Sequence, residues 1–292
     1  MAKFLRIYCT LMITLILSSC EEDFALVKPA FTPSIVVNSV FTVGEPWVVN
    51  LSLSRDILEN GSTMPFVENA EVVVIDQSNG RRIYLSYVGD GNYRSEIYTP
   101  IVERRYELEV NVPGYDVISA TSTPPKFSEV TISDVVESEL DKSTTVDFHI
   151  NDVQNGFYIW NLIISSPSNP IDTFYTGSPS KLISSVNYYN QLAGLVELIG
   201  SPVNDAEASG GEFSTTHLDF QPASDSTVIL QTKRYLRLLT ASKELYSYYK
   251  SVDRFNENPI GSSISYSTDI YSNIKGGLGI FAGFSEKYHE IK

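Results

Sequence analysis

The sequence predicts a mostly β protein, with an N-terminal antiparallel β-sandwich over residues 34–123 and a β-rich domain over residues 127–292 that carries one amphipathic helix near 241–254. Three observations lead to this prediction. Apolar and polar residues alternate with a period of two from Ser34 onward, as in strands that bury one face. Turn sequences recur about every 8–12 residues, which is typical of an antiparallel sandwich. One later stretch has the period of a helix.

The predicted sandwich contains about seven or eight short strands. Residues 34–54 are predicted to form a hairpin around the turn Val43-Gly44-Glu45-Pro46, because this turn separates two alternating runs. Thr123-Pro124-Pro125 ends the unit as a stiff linker and predicts a domain boundary, since prolines cannot donate to a central ladder. The other strands lie between turns rich in Gly, Asn and Pro and are predicted at residues 70–76, 82–88, 92–97, 106–112 and 115–122.

Strands also dominate the predicted second domain. Residues 166–226 include several prolines and the polar run 204–212, which favours long loops with weak strands near 182–189 and 195–199. Loops of this length in a compact protein are usually functional or mobile, so a partner contact and a disordered insertion without a partner both stay open. The clearer strands of this domain are expected at residues 130–136, 144–150, 157–165, 227–240 and 277–284.

The predicted helix rests on a single apolar stripe. Leu245, Tyr248, Tyr249 and Val252 follow one another at i, i+3, i+4 and i+7, which places them on one helical face. Thr240 is the candidate N-cap, because a threonine hydroxyl can accept from a free amide of the first turn. We expect the helix to end by Asn258-Pro259, since proline disfavours a helical conformation in the residue before it.

The N-terminus has the layout of a secretory signal. Lys3 and Arg6 precede an apolar run that is too short to span a bilayer as a stable helix. The ending Leu17-Ser18-Ser19-Cys20 resembles a lipobox, which predicts removal of residues 1–19 and acylation of Cys20. Lipid on this cysteine would anchor the chain durably, because each buried CH2 group contributes about 0.8 kcal/mol. The alternative is a membrane helix in which Cys20 is incidental.

Residues 20–33 are predicted to be a lipidated tether. Glu21, Glu22 and Asp23 follow the cysteine directly, and Pro29 and Pro33 keep the tether extended. The acidic run has two interpretations. It is a solvated part of the tether, or it is an export signal, since it resembles the acidic signal that sends Bacteroidota lipoproteins to the outer leaflet of the outer membrane.

Composition narrows the classes of partner. The chain has 21 basic and 35 acidic residues, a net charge of −14, which is poorly suited to binding nucleic-acid phosphates. The two cysteines are Cys9, inside the apolar leader, and Cys20. Cleavage before Cys20 would therefore leave no intrachain disulfide and no thiolate metal site.

The sequence shows no motif of an enzyme or of a cofactor site. His149, His217 and His289 are far apart, and none has a metal-ligand neighbour at i+2 or i+4. There is no nucleophile elbow and no phosphate-binding glycine loop of the known patterns. Asn204, Asp205 and Glu207 have the oxygen ligands that Ca²⁺ prefers, but a solvated acidic loop is the preferred interpretation. We therefore predict no catalytic residue, no metal and no cofactor.

Aromatic residues in the irregular segment are the candidate partner contacts. Tyr175, Tyr188 and Tyr189 lie among polar residues, a mixture typical of contact surfaces. They could stack on a peptide or glycan cargo or meet a receptor, and the alternative is that they fill strands or a core.

Several segments together resemble a known family. "NAEVVVID", "GNYRSE", "YELEV" and "SATSTPP" in the first half, and "LLTASKELYSYYKSVD" and "GGLGIFAGFS" in the second, are similar to Bacteroidota outer-membrane lipoproteins catalogued as a domain of unknown function, number 4249. The resemblance spans about Cys20 to Phe284. The first unit also looks like a transthyretin-like or carboxypeptidase-regulatory-like sandwich.

This resemblance implies a function that composition does not show. Members of the family are encoded beside TonB-dependent outer-membrane receptors of the SusC type, which implies an accessory or binding lipoprotein on the cell exterior. The family supplies no catalytic residues to carry over. Two other classes stay open, namely a stand-alone surface adhesin or binding module and a periplasm-facing structural lipoprotein.

Overall fold

The computed structural model describes fifteen strands and one helix in residues 31–56, 64–138, 143–151, 156–166, 169–177, 203–204, 212–218, 233–257 and 269–292. From residue 161 to residue 218 it describes the backbone alone. The first seven strands are β1 (Ile35–Thr42), β2 (Trp47–Leu53), β3 (Glu71–Asp76), β4 (Arg81–Gly89), β5 (Asn92–Ser95), β6 (Tyr106–Asn111) and β7 (Ile118–Ser122). The other elements are β8 (Glu129–Ser138), β9 (Ser143–Asn151), β10 (Phe157–Ser166), β11 (Asn169–Gly177), β12 (Val203–Asn204), β13 (Glu212–Leu218), β14 (Lys233–Ala241), α1 (Lys243–Glu257) and β15 (Leu278–Ile291).

The prediction of a mostly β fold with one helix is confirmed. Twelve strands form one sheet in the order β11-β10-β14-β15-β1-β2-β5-β4-β3-β6-β7, with β12 also paired to β10. The other three strands form a smaller sheet in the order β13-β9-β8. Period-two alternation accounts for strands such as β1 and β6, in which every second side chain is buried.

The first seven strands enclose a core by folding one sheet over on itself. Buried residues such as Val49 and Leu51 of β2 belong to the same core cluster as Val74 of β3 and Leu108 of β6. Strand β4 pairs with both β3 and β5, so the two layers are continuous. The sandwich part of the prediction, with two separate sheets, is therefore not confirmed.

The last strand of the chain joins the first half of the molecule. β15 runs parallel to β1, with Val37 opposite Gly279 and Phe41 opposite Gly283. Phe281 of β15 enters the first core and packs on Phe41 with ring centroids 4.8 Å apart. The sheet thus crosses the boundary predicted at Thr123-Pro124-Pro125. Separate folding of the two halves stays a prediction.

In the second half, the large sheet is covered on both faces. Alternate residues of β14 point in opposite directions, as strand geometry requires. Leu236 and Leu238 pack with Phe148 of the smaller sheet, and Leu239 packs with Leu245 of α1 on the opposite face. β10, β14 and β15 are thus the middle layer between the smaller sheet and the helix.

The helix lies where it was predicted, but its cap differs. Ser242, not Thr240, caps α1: its Oγ accepts from the Leu245 amide at 3.3 Å. The prediction of Thr240 was wrong because Thr240 is still part of β14, where it pairs with Tyr158 and Ser285. The predicted stripe is correct, since Leu245 and Val252 are buried, and Tyr248 and Tyr249 pack against the core cluster that includes Leu239 and Leu245.

Residues 166–226 contain more regular structure than was predicted. Three strands, β11, β12 and β13, lie in this segment, and β13 pairs with β9 over seven residues. The prediction of long loops was wrong there because β11 and β13 complete existing sheets, and such long-range pairing has no local sequence signal. The weak strands predicted near 182–189 and 195–199 lie outside the described residues.

Candidate functional site

A cleft of about 390 Å³ lies where the linker after β7 meets the junction of β14 and α1. One wall is formed by linker residues between Thr123 and Ser128 together with Glu103. The other wall is formed by residues 156–158, at the start of β10, and by Thr240–Glu244. Its volume is within the range of about 300–1,000 Å³ that small-molecule sites occupy.

The helix wall is fixed by its tight connection to the sheet. A single residue, Ser242, separates β14 from α1, and it is buried. Its amide donates to the Gly283 carbonyl of β15 at 3.0 Å, while its hydroxyl caps the helix. This double attachment holds Lys243 and Glu244, the first two residues of α1, at the cleft.

The linker wall has Glu103 in an unusual backbone conformation. Glu103 has a φ of 59°, the left-handed region that favours glycine and costs other residues roughly 1–2 kcal/mol. Its amide donates to the Pro124 carbonyl at 2.8 Å, which ties the turn to the linker. The exposed carboxylate of Glu103 is thereby placed on the same side of the cleft as Lys126.

Hydroxyl groups line the inner part of the cleft. The Thr240 hydroxyl donates to the Ser128 hydroxyl at 3.1 Å, and both residues are buried. Ser122 does not line the cleft, but its hydroxyl lies 3.3 Å from Oε2 of Glu244 and 3.4 Å from the Ser242 hydroxyl, and both of these residues line it. These bonds satisfy the buried hydroxyls and draw the half-buried Glu244 carboxylate toward the sheet.

Residues 156–158 add the apolar and aromatic part of the lining. Phe157 stacks on Tyr246 of α1, with ring centroids 4.5 Å apart and planes inclined by 26°. A Cβ at Gly156 would lie 1.9 Å from the Tyr158 hydroxyl oxygen, so a larger residue there would displace the Tyr158 ring. One face of Phe157 is covered by Tyr246.

Three exposed charged groups at the cleft form no ion pair with the described residues. They are Glu103 and Lys126 on the linker wall and Lys243 on the helix wall. The cleft therefore offers charges of both signs to a ligand. Chemically it can orient a small polar molecule through charged and hydroxyl groups.

A model of one protein family matches residues 21–290 of the chain; the family is described as a domain of unknown function (DUF4249). The chain belongs to this family. The family predicted from the sequence is thus confirmed, and its matched region includes every residue of the cleft. No curated protein matches the sequence.

A comparison with solved structures gives one match of low similarity to this chain. It is the crystal structure of a Bacteroides uniformis protein to which carbohydrate binding has been ascribed. It is 8% identical and covers 72% of this chain and 89% of its own, with a TM-score of 0.16.

Most residues singled out from the sequence lie outside the part of this family member that the structure describes. These are Cys20, Glu21, Glu22, Asp23, Tyr188 and Tyr189. Tyr175 is in β11, where its backbone pairs with Ile163. Because Tyr188 and Tyr189 lie outside the described residues, the proposed contact role of the three tyrosines stays a prediction.

The histidines and acidic residues are distributed over several elements. His149 is in β9, His217 in β13 and His289 in β15, whereas Asp205 and Glu207 lie outside the described residues. Within the described ranges, no group of three or more His, Cys, Asp or Glu side chains is placed to hold a metal ion. In those same ranges, no helix has the length and apolar character needed to cross a membrane.

Sequence analysis missed the cleft residues. Glu103, Lys126 and Lys243 come from three distant segments, and none belongs to a recognisable motif. The one local signal was the stiff Thr123-Pro124-Pro125 linker, which was interpreted only as a domain boundary. Such a site can be recognised only when the pairing of β15 with β1 and β14 is known, because this pairing joins the two halves of the chain.

Proposed function

We propose that the protein is a lipid-anchored outer-membrane lipoprotein that acts as an accessory or binding subunit of a SusC-type TonB-dependent uptake system. In this proposal the cleft binds the ligand without converting it. The observation that carries the proposal is the cleft itself, which presents unpaired charges of both signs on rigid elements. Rigid elements with a polar cleft of this size suit recognition of a small molecule.

Anchoring through Cys20 is proposed from the sequence alone. The lipobox-like Leu17-Ser18-Ser19-Cys20 predicts a mature chain that begins at the cysteine. A short tether would keep the folded unit close to the membrane, where the extracellular loops of a transporter are accessible.

The receptor partner is the finer part of the proposal. It rests on the genomic association that the family resemblance implied. We propose that residues 166–226, with Tyr175, Tyr188 and Tyr189, contact either the receptor or its peptide or glycan cargo. Aromatic residues among polar ones are suited to such contacts because they contribute large areas at a small entropic cost.

Fractionation and external protease test the location. Cys20→Ala should give a protein that is soluble or unprocessed, because no lipid can be attached. Replacement of Glu21, Glu22 and Asp23 by alanine should leave the protein in the membrane but shield it from protease added to intact cells. A processed Cys20→Ala variant that still fractionates with membranes would contradict lipidation.

Co-purification tests the partner. A tagged protein extracted from native outer membranes should bring down a TonB-dependent receptor, and Tyr188→Ala with Tyr189→Ala should weaken this recovery. Protection of the wild-type protein in intact cells would instead support a periplasm-facing lipoprotein. Surface exposure without any co-purified receptor would support a stand-alone binding module.

A further inference from the structure

We infer that the cleft binds a small zwitterionic ligand of the short-peptide class, with its amine at Glu103 and its carboxylate at Lys243. The inference rests on the proposed function only in taking the cleft as a ligand site. It adds the chemical class of the ligand and assigns one specificity residue to each wall.

Glu103 occupies a position where the fold alone would favour glycine. Its φ of 59° belongs to the left-handed region, and the hydrogen bond from its amide to the Pro124 carbonyl holds it there. No described residue forms an ion pair with its exposed carboxylate. The backbone therefore bears a strain that no contact of the Glu103 side chain offsets within the protein.

Lys243 is also placed against a local preference. It is the first residue of α1, where the partial positive charge of the helix dipole disfavours a cation. Its side chain is exposed and has no ion-pair partner among the described residues, although Glu244 follows it directly. That carboxylate is instead drawn toward Ser122, which leaves the Lys243 ammonium group available to an anion.

The two residues in unfavourable positions, Glu103 and Lys243, both line the cleft. Positions where a sequence breaks local rules without a gain in stability are expected at functional sites. Glu103 is on the linker wall and Lys243 on the helix wall, so both residues line one cavity. A ligand with a single charge would satisfy one of them and be repelled by the other, whereas a zwitterion satisfies both.

The remaining lining fits a short peptide better than a sugar. Lys126 adds a second cation on the linker wall, and the partly exposed Phe157 provides apolar surface for a side chain. A neutral sugar would leave the charges of Glu103 and Lys243 without a partner, and Tyr246 already covers one face of Phe157. A dipeptide also suits a volume of about 390 Å³.

Calorimetry on the full-length lipoprotein in detergent would test the inference with three probes. They are the dipeptide Ala-Phe, its acetylated and amidated form, and maltose. We expect Ala-Phe to bind and the capped peptide, which has neither terminal charge, to bind at least tenfold more weakly. We expect no heat of binding from maltose. Glu103→Gly and Lys243→Glu should each lower the affinity for Ala-Phe at least tenfold while raising the Tm of the free protein.

A matched control separates strain relief from ligand recognition. Asp90 has a φ of 49° in the turn between β4 and β5 and does not line the cleft. Asp90→Gly should therefore raise the Tm as Glu103→Gly does and leave the affinity for Ala-Phe unchanged. Because all three substitutions are expected to stabilise the fold, loss of binding cannot be attributed to unfolding.

Several outcomes would overturn the inference. They are equal affinity for the capped and free dipeptides, tighter binding of maltose than of Ala-Phe, binding of no probe, and unchanged affinity in Glu103→Gly and Lys243→Glu. Recovery of the receptor from native membranes is measured separately. If no probe binds but the receptor co-purifies, the ligand class is wrong and the accessory function stands; if the receptor is also absent, the proposed function fails as well.

Discussion

The side chain of Asn273 bonds to both backbone polar groups of Phe281. Its Nδ2 donates to the Phe281 carbonyl at 2.8 Å, and its Oδ1 accepts from the Phe281 amide at 3.0 Å. The same Nδ2 also donates to the Thr121 carbonyl of β7 at 3.2 Å. An asparagine thus replaces a strand at the junction of β7 and β15, and a short backbone pairing of Ser119 with Lys275 lies beside it.

Removal of this side-chain bridge should destabilise the protein. Asn273→Leu leaves the amide and carbonyl of Phe281 without partners in a buried region, and each such group costs about 1–3 kcal/mol. Urea unfolding followed by tryptophan fluorescence would measure the loss. Asn111→Leu, at an exposed end of β6, is the control and should change stability by less than about 0.5 kcal/mol. Equal effects of the two substitutions would show that the bridge does not stabilise the junction.

Close packing of β15 on β1 depends on Gly279. Its φ is 105°, and a Cβ there would lie 1.9 Å from the Val37 carbonyl oxygen. Gly279→Ala should therefore displace β15 and cost more than the roughly 1–2 kcal/mol expected from a positive φ alone. Gly80, with a φ of 70° and nothing within 4 Å of its Cβ position, provides the comparison. A thermal scan in which Gly279→Ala melts no lower than Gly80→Ala would contradict the parallel pairing.

Stability should fall below neutral pH because of His289. Burial lowers the pKa of His289, nearby Lys287 lowers it further, and Glu129 opposes the shift. The unfolded chain then binds a proton near pH 6.5 that the folded protein does not bind. The contribution is therefore complete above about pH 6.5 and is lost as the pH falls toward the lower folded pKa.

Substitution isolates this effect from the other titrating groups. His289→Gln has no ionisable group at this position, so the difference in unfolding free energy between wild type and variant should change between pH 7 and pH 5. The measurement is urea unfolding at several pH values. A difference that stays constant over this range would contradict a lowered pKa at His289.

The contribution of β15 to the first core predicts the behaviour of a fragment. Residues 34–123 alone would lack Phe281 and leave one edge of β1 unpaired. We expect this fragment to unfold without the cooperative transition of the full chain, and addition of residues 269–292 to restore it. A cooperative transition of the fragment alone, seen by circular dichroism, would instead support the boundary predicted at Thr123-Pro124-Pro125.

Features that depend on neighbouring residues were predicted correctly, whereas features that depend on long-range pairing were not. Strands such as β6 and the apolar stripe of α1 were predicted because alternation and helical spacing are local consequences of one buried face. Thr240 was mistaken for a cap because its pairing with Ser285 across β14 and β15 cannot be inferred from neighbouring residues. The strands in residues 166–226 were missed for the same reason.

The cleft could not have been predicted from local patterns. Its left-handed Glu103 has no glycine to mark the turn, and its lining comes from both sides of the predicted domain boundary. A charged residue at an exposed turn or at a helix start has no distinguishing sequence signature. The left-handed backbone of Glu103 and the position of Lys243 at the positive end of the helix dipole become evident only when the conformation is known.

Labelling of a single thiol at the cleft on intact cells would test the central claim most directly. If the chain is cut before Cys20 and lipidated there, as proposed, Thr123→Cys would introduce one free thiol at the cleft, and Ser119→Cys would introduce a control thiol in β7 outside the cleft. A membrane-impermeant maleimide should label Thr123→Cys on whole cells, and a saturating mixture of short peptides and oligosaccharides should slow that reaction several-fold without affecting Ser119→Cys. Labelling of Thr123→Cys only after lysis, or at the same rate with and without the mixture, would contradict a surface-exposed lipoprotein that binds its ligand in this cleft.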